Sequence, residues 1–359
     1  MTEAGSSTKP INEFEAGLNK ADKAVAAFER DDKSFSHVLR LFLRNHPTSI
    51  PALVLILSVI GFGIIAPNFM TPGTLSLILK QVTVTGIVAI AQTLIILTAG
   101  IDLSVGVILL LSSIIMGNLA VNVGLPPFFA IVIGLFFGAL MGWINGVLVT
   151  YVKLPPFIVT LGTLSVFTAL KLWYSGSQSI RGADIRETAP SLLWFGQAYR
   201  GGGFTLTLGG ISLILLAFVV WYMLNHTAWG RHVHAIGDDP EAAMLSGIRI
   251  NRVLISVYAF AGLICAFGGW IAIGRVGSIS PIGFDDVNLA SITAVVIGGT
   301  SLFGGRGSIV GSVLGALIVG VFNTGLSLAG VDDYWQMFAA GNLVIIAVAL
   351  DQWLRRASQ

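Results

Sequence analysis

The polar side chains that could do chemistry lie isolated in long apolar stretches of the sequence. No Asp, Glu, Lys or Arg occurs between Asp102 and Lys153, and Asp102 itself stands in a short break that contains Gly and Ser residues. A carboxylate just ahead of a helix can accept backbone N–H bonds that would otherwise be unpaired. An ionisable residue at membrane depth can equally hold a ligand. We therefore expect Asp102 either to cap a helix or to contact a bound molecule.

Two asparagines hold matching positions in an internal repeat. The tripeptide Gly-Ala-Leu at 138–140 precedes Asn145, and the same tripeptide at 315–317 precedes Asn323, with a gap of one residue. The two segments lie five apolar stretches apart, so they run in opposite directions, as in the inverted repeats of many transporters. We expect the two asparagines to face each other across a pseudo-twofold axis. The alternative is chance similarity between two glycine-rich helices.

A stripe of glycines lies within the first of these segments. Gly134, Gly138, Gly142 and Gly146 recur at every fourth residue. Small residues at this spacing let two helix backbones approach closely in a membrane. The stripe therefore predicts a tight helix contact inside the subunit.

The strongest local signal lies in residues 226–252, between two apolar stretches. Asp239 is a good helix N-cap, and the Pro and Glu that follow it suit the first turn of a helix. Gly247 is a natural stop. These residues predict a helix over 240–246, which is too short to be stable alone and exposes Met244 and Leu245. Such a helix needs a groove, either on its own protein or on a partner.

Signatures of catalysis and of cofactor binding are missing from the sequence. It has no Gly-x-x-x-x-Gly-Lys-[Ser/Thr] nucleotide loop, no Gly-x-Ser-x-Gly elbow and no His-Glu-x-x-His motif. His232 and His234 are a weak metal signal, and a solvated loop explains them. The net charge of +2 is too small to indicate a nucleic-acid surface. We therefore expect a chain that is not an enzyme and that binds no metal, cofactor or nucleic acid.

Helices that cross a membrane must position these residues. The chain is 55% hydrophobic and 11% charged, whereas soluble domains carry about 25% charged residues. A membrane span needs about 20 apolar residues. The charge-free stretches predict an all-α integral membrane protein of about ten transmembrane helices with an inverted internal repeat. The predicted spans are residues 51–67, 82–98, 104–124, 127–152, 157–173, 204–225, 253–274, 287–303, 309–329 and 334–350.

The distribution of polar residues predicts the organisation of the chain. Residues 1–48 form a polar tail, 49–355 the transmembrane domain and 356–359 the carboxyl terminus. Lys and Arg concentrate in the segments that lie in the cytosol when both termini do. This orientation places 226–252 inside and 174–203 outside. The first apolar stretch begins near residue 50, so we expect no cleaved signal peptide.

Four segments together resemble the permeases of bacterial ABC importers for ribose, xylose, arabinose and fructose. They are TAGIDLSVG at 98–106, PFIVTLGT at 156–163, the segment 230–248 and GGTSLFGGRGS at 298–308. The resemblance covers about residues 50–355, and the fructose permeases of alphaproteobacteria are the most similar. One departure is Asp238-Asp239, where many relatives have Gly-Asn. Because Asp caps a helix as well as Asn does, we expect no functional consequence.

The resemblance implies the other parts of the importer. A second permease copy, a cytosolic ATPase subunit that uses ATP and a periplasmic sugar-binding protein would assemble with this chain in the lipid of the bacterial inner membrane. It implies that 226–252 is the loop that couples the permease to the ATPase. The coupling residues would be Gly237, Asp239, Pro240, Glu241, Ala242, Met244, Leu245 and Gly247.

A sugar would need a path of hydrogen-bonding groups without charges that hold it tightly. Few residues of the predicted spans qualify. The candidates are Gln92, Asp102, Asn145, Thr160, Thr163 and Asn323. An asparagine in hydrocarbon is costly unless it is hydrogen-bonded, so each Asn is expected either to line the path or to bond a neighbouring helix.

Other functions remain open at the level of the sequence. The same kind of importer could carry ribose, mannose, xylose, a branched-chain amino acid or an autoinducer sugar. A secondary transporter would need a buried ion site, for which only Asp102 is available. A membrane-embedded enzyme would need a nucleophile or a metal constellation, and neither is visible.

Overall fold

The computed structural model describes residues 48–284 and 286–356, and helices dominate them. The tail predicted at 1–48 lies, except for Thr48, outside the described residues, as do 357–359. The helices are α1 (Ser49–Ile65), α2 (Pro72–Leu97), α3 (Val105–Gly117), α4 (Pro127–Thr150), α5 (Pro156–Ser175), α6 (Gly182–Thr188), α7 (Leu208–His226), α8 (Ala228–Asp238), α9 (Pro240–Leu245), α10 (Ile250–Val276), α11 (Val287–Ile297), α12 (Ile309–Leu328) and α13 (Asp333–Arg356). A π-helical turn, Asn118–Asn122, continues α3.

Seven helices in the described part of the chain are long and apolar enough to cross a membrane. They are α2, α3 with its π-helical turn, α4, α5, α7, α10 and α12. The chain is therefore an all-α, multi-pass membrane protein, as the sequence predicts. The apolar helices α1 and α11 are shorter, with 17 and 11 residues. The count of ten spans stays a prediction.

The eighth predicted span, 287–303, is shorter in the structure than in the prediction. Helix α11 ends at Ile297, and 11 residues extend only about 16 Å along a helix axis. The helix ends there because Gly299 takes a left-handed conformation, with φ of 84°. Its N–H donates to the Val296 carbonyl at 2.9 Å, and the N–H of Thr300 donates to the Val295 carbonyl at 3.1 Å. Helix α2 ends in the same hydrogen-bond pattern around Ala99.

Helix α4 packs against α10 through the predicted glycine stripe. A Cβ at Gly138 would overlap Ala266, and one at Gly146 would lie 2.9 Å from the Cα of Ile255. The prediction of close helix contact is thus confirmed. Because later residues of α4 meet earlier residues of α10, the two helices are antiparallel.

Contacts with α2 show the direction in which two further helices run. Thr93, near the end of α2, donates to Ser312 at the start of α12 at 2.7 Å, and Gln81, in the first half of α2, accepts from Thr324 at 3.1 Å. Helix α12 is therefore antiparallel to α2. Helix α10 is also antiparallel to α2, since Arg275 near its end donates to the Gln81 carbonyl at 3.3 Å. We call the end of the bundle where α2 ends the α8 end, and the opposite end the far end.

The packing partners follow the inverted repeat. Helix α4 packs on α10 as α12 packs on α2, and α3 packs on α10 as α11 packs on α2. Likewise α3 contacts α5 and α11 contacts α13. Since α4 runs opposite to α12, the two sets of helices are related by inversion of their direction in the membrane.

The long loop predicted at 174–203 contains ordered elements at the far end. They are helix α6, a 3-10 turn at Pro190–Gly196 and strand β1 (Ala198–Gly201), which pairs antiparallel with β2 (Phe204–Thr207). Strand β2 leads directly into α7, whose 19 residues run to the α8 end. The hairpin and α8 therefore stand at opposite ends of α7.

Candidate functional site

The short helix predicted after Asp239 is present as α9. The Asp239 carboxylate accepts from the backbone N–H groups of Glu241 at 2.9 Å and Ala242 at 3.0 Å, which makes it the N-cap. At the other end Gly247 has φ of 84°, and the N–H of the following Ile248 donates to the Ala243 carbonyl at 3.1 Å. Both ends are thus fixed by the residues that the sequence indicated.

Helix α9 presents one apolar face away from its own protein. Met244 is 60% exposed and Leu245 is 86% exposed, whereas Ala243 is 4% exposed and faces the neighbouring helices. Glu241 and Ala242 are also exposed. Within the described residues, no groove of this chain covers Met244 and Leu245, which leaves them available to a partner.

Helix α8, which precedes α9, was missed by the sequence analysis. The Thr227 hydroxyl accepts from the N–H of Gly230 at 3.2 Å and caps its start. Trp229, Val233 and Ile236 recur at helical spacing, a signal that could have indicated the helix. The prediction of a solvated loop for the histidine pair is wrong for His234, which is half-buried and whose Nδ1 lies 2.9 Å from the Gly305 carbonyl.

Gly237, one of the predicted coupling residues, is buried at the end of α8, whereas Met244 and Leu245 on α9 are exposed. Gly237 packs on two chain segments at once, since a Cβ there would overlap the Leu97 carbonyl and lie 2.5 Å from the Gly305 nitrogen. The Gly305 N–H itself donates to the Leu97 carbonyl at 3.0 Å. Helix α8 thus rests on the end of α2 and on the loop that follows α11. We call this contact the α8 junction.

A buried polar cluster surrounds Asp102, just beyond the end of α2. Its Oδ1 accepts from the backbone N–H and the hydroxyl of Ser104, both at 2.6 Å. The Asn145 amide donates to the other carboxylate oxygen at 3.3 Å and to the Ser104 hydroxyl at 2.9 Å. Asp102 is 2% exposed and Asn145 is fully buried. The carboxylate therefore satisfies the N–H at the start of α3 and ties that start to α4.

Three further candidate path residues lie around this cluster. With its amide oriented to satisfy both groups, Gln92 exchanges two 3.2 Å hydrogen bonds with the backbone of Asp102. Thr160 on α5 donates to the Ile101 carbonyl at 3.1 Å, whereas Thr163 bonds only its own helix. Gln92, Asp102, Asn145 and Thr160 are thus brought together around the break between α2 and α3.

Two buried polar atoms of this region have no hydrogen-bond partner in the described residues. They are Oδ1 of Asn145 and the hydroxyl of Tyr258, which lies on α10 and stands over Gly100. Sequence reasoning did not single out Tyr258. Its neighbours in the sequence are apolar, so only the fold reveals that it belongs to this cluster.

Asn323 lies far from Asn145, and the prediction that the two face each other is wrong. Asn323 stands at the far end beside Thr324, which bonds Gln81, whereas Asn145 stands with Asp102 at the α8 end. The Asp102 backbone bonds Gln92, which lies about 16 Å from Gln81 along α2 at 1.5 Å per residue. An inverted repeat relates its positions through the membrane midplane, so equivalent residues meet only when both lie near that plane.

The far end contains a large cavity between α2, α10, α11, α12 and α13. It has a volume of about 930 Å³. Apolar residues form slightly more than half of its lining, and polar or charged residues form the rest. The polar and charged residues that line it are Lys80, Gln81, Arg275, Asp286, Thr293, Asn323, Thr324, Ser327, Asp333 and Gln336. Only Asn323 of these was predicted from the sequence.

Metal coordination finds no support in the described part of the chain. No group of three or more His, Cys, Asp or Glu side chains there could hold an ion. The single cysteine, Cys265, is buried within α10. The arrangement offers three features instead: an exposed capped helix, a buried polar cluster and an open cavity at the other end of the bundle.

Comparisons with known proteins show which family the chain resembles. A family model described as "Branched-chain amino acid transport system / permease component" matches residues 74–348. Over 359 residues the chain is 51% identical to the fructose import permease protein FrcC of Rhizobium meliloti, with 100% of both chains covered. It is 41% identical over 302 residues to the ribose import permease protein RbsC of Bacillus subtilis, covering 84% of this chain and 92% of the relative. No solved structure matches the chain.

Proposed function

Because the chain belongs to the family of permease components of branched-chain amino acid transport systems, we propose that it is the membrane subunit of a bacterial ABC importer. Its cargo is a monosaccharide, with fructose favoured over ribose, mannose and xylose. One observation carries this choice: the chain is 51% identical to a fructose import permease over the whole length of both proteins. Ribose import permeases are also similar, at 41% identity or less.

In this proposal a separate cytosolic ATPase subunit drives transport and contacts α9. The exposed side chains of Met244 and Leu245 and the fixed ends of the helix support this role. The α8 junction would carry movement from α9 to α2, because α9 directly follows α8 and Gly237 of α8 packs on the end of α2. Both termini and the segment 226–252 then lie in the cytosol, and the far end faces the periplasm.

The complete importer in this proposal contains two copies of the chain and a periplasmic sugar-binding protein. An importer driven by ATP on another chain needs a partner at each end of the bundle. Helix α9 offers a surface at the α8 end, and the β1–β2 hairpin with α6 offers one at the far end. Exposed aromatic side chains on α13, such as Trp335 and Phe338, support a contact with lipid or with the second copy.

The test is transport by a reconstituted complex. The chain is purified together with the ATPase subunit and the binding protein of its importer and placed in proteoliposomes containing ATP. We expect uptake of labelled fructose that requires ATP, the ATPase and the binding protein. Uptake without the ATPase would identify a secondary transporter instead. Competition by unlabelled ribose, mannose and xylose would rank the cargo.

A branched-chain amino acid is the second candidate cargo, and the description of the matching family favours it. The same vesicles decide between the two. ATP-dependent uptake of labelled leucine, with none of fructose, would assign the amino acid. We expect the reverse, since the relatives that match over most of the chain are named for sugars.

A further inference from the structure

The far-end cavity carries charged groups that hydrocarbon would penalise. Arg275 and Asp286 line it together with Gln81 and Asn323. Ionisable residues in a membrane protein usually face the protein interior or a water-filled cavity, since unpaired polar groups in lipid cost several kcal/mol. The lining therefore indicates that the cavity holds water or a polar ligand and that lipid chains do not fill it.

Two amides in the cavity have hydrogen-bonding capacity to spare. Within the described residues the side chain of Asn323 makes no hydrogen bond, although it is only half-exposed. Gln81 uses its side-chain oxygen to accept from Thr324 at 3.1 Å, and its amide nitrogen stays free. Together they present one oxygen and two NH2 groups, which suits a ligand that bears several hydroxyls.

The guanidinium of Arg275 completes this side of the cavity. It donates to the Gln81 carbonyl at 3.3 Å and lies 5.6 Å from the centre of the Phe284 ring. These contacts hold the cation against α2 and leave part of its donor capacity directed at the cavity. A neutral ligand with hydroxyls at one edge matches a lining of donors and acceptors without a concentrated charge of one sign.

The inverted repeat supplies an independent comparison. The amide nitrogen of Asn145 is engaged, because it donates to Asp102 and Ser104, the residues just before α3. Its repeat mate Asn323 makes no side-chain hydrogen bond within the described residues, and Asp286, the residue before α11, lines the same cavity. Of the two equivalent asparagines, the one at the α8 end donates two hydrogen bonds and the one at the far end donates none to any described residue. The far end is therefore where a molecule would enter in this conformation.

From these observations we propose that the far-end cavity is the site at which the transported monosaccharide first binds the permease. Asn323 and Gln81 bond its hydroxyls. This inference rests on the proposed import of a sugar. It goes beyond it by assigning the contact residues and by placing the site at the end of the bundle opposite to α9.

Its first test uses the complete importer in proteoliposomes. At fructose concentrations below saturation, Asn323→Leu should lower uptake about five- to tenfold, as expected for the loss of one or two hydrogen bonds to the sugar. Asn323→Gln should restore part of it. The matched control is Asn342→Leu on α13, whose side chain is exposed outside the cavity and bonds its own helix. Wild-type uptake by Asn323→Leu would overturn the proposal.

A second test measures how accessible the cavity is to a reagent and does not depend on transport. Asn323→Cys in the complete importer should react with a charged, water-soluble thiol reagent, and fructose delivered by the binding protein should slow the reaction. The native Cys265 is fully buried, so it gives no background. Ile214→Cys, on the exposed apolar surface of α7, is the control that should react only with a membrane-permeant reagent. Reactivity of Asn323→Cys like that of Ile214→Cys would show a lipid-filled cavity and refute the proposal.

The proposed function and the proposed binding site fail in different experiments. If the wild-type complex imports neither fructose nor any other monosaccharide, the proposed function falls, and this inference falls with it. If the wild type imports fructose while Asn323→Leu is unimpaired and Asn323→Cys is not protected, only the assignment of the cavity falls.

Discussion

Substitution of Gly237 by Ala should uncouple transport from ATP hydrolysis. Gly237 is buried between the end of α2 and the loop after α11. An added Cβ would overlap the Leu97 carbonyl and approach the Gly305 nitrogen to 2.5 Å, whereas ordinary contact begins at 3.4 Å. The Gly305 contact alone requires helix α8 to move by about 0.9 Å, and the overlap with the Leu97 carbonyl requires more. Overpacking of this kind costs about 1–3 kcal/mol.

The displacement acts on the hydrogen bond that joins the two segments under α8. The Gly305 N–H donates to the Leu97 carbonyl at 3.0 Å, and the new methyl group would press on both atoms. We expect the unfolding midpoint in detergent to fall. We also expect less sugar to be imported per ATP hydrolysed, because α9 then moves without carrying the end of α2 with it.

The assay measures fructose uptake and phosphate release in the same proteoliposomes. The matched control is Gly61→Ala on α1, where a Cβ meets nothing within 4 Å. That variant should keep the wild-type ratio and stability. If Gly237→Ala also has the wild-type unfolding midpoint and the wild-type ratio of uptake to hydrolysis, the α8 junction does not transmit the movement.

Three further predictions concern the cap, the buried cluster and the orientation. Asp239→Ala should destabilise α9 by about 1 kcal/mol and weaken binding of the ATPase in a pull-down, while Asp239→Asn should bind normally; equal binding by both variants would deny α9 this role. Asn145→Leu should lower the unfolding free energy by about 1–3 kcal/mol, measured in detergent, because Asp102 loses a donor; unchanged stability would show that this bond is dispensable. Cysteines at Leu245 and Tyr199 should label from opposite sides of sealed vesicles, and labelling from one side would refute the proposed topology.

The membrane class and the short helix could be read from the sequence because their causes are local. Charge-free stretches of sufficient length indicate spans, and Asp239 and Gly247 fix the ends of α9 through bonds to residues a few positions away. The length of α11 was harder to predict, since no charged residue follows Ile297 until Arg306 and only the paired glycines mark the end of the helix.

The polar sites could be predicted as residues and not as an arrangement. Gln92 and Thr160 were selected for their type, and the fold alone shows that both bond the backbone around Asp102. The repeat identified Asn145 and Asn323 as equivalents, but sequence similarity carries no information about depth in the bilayer. Most residues that line the cavity around Asn323 lie in stretches of the sequence with no motif that indicates a binding site.

The glycine stripe between α4 and α10 has a mechanical consequence. Along this seam backbone touches backbone, since a Cβ at Gly138 would lie 2.8 Å from the Gly262 carbonyl oxygen and one at Gly142 would overlap the Tyr258 carbonyl. Two helices in such contact can neither slide nor roll against each other without a backbone collision. The two helices must therefore move together as one rigid body. Any change of shape during a transport cycle has to be absorbed where the helices meet through side chains, such as α12 against α2, where Val82 fills the space beside Gly320.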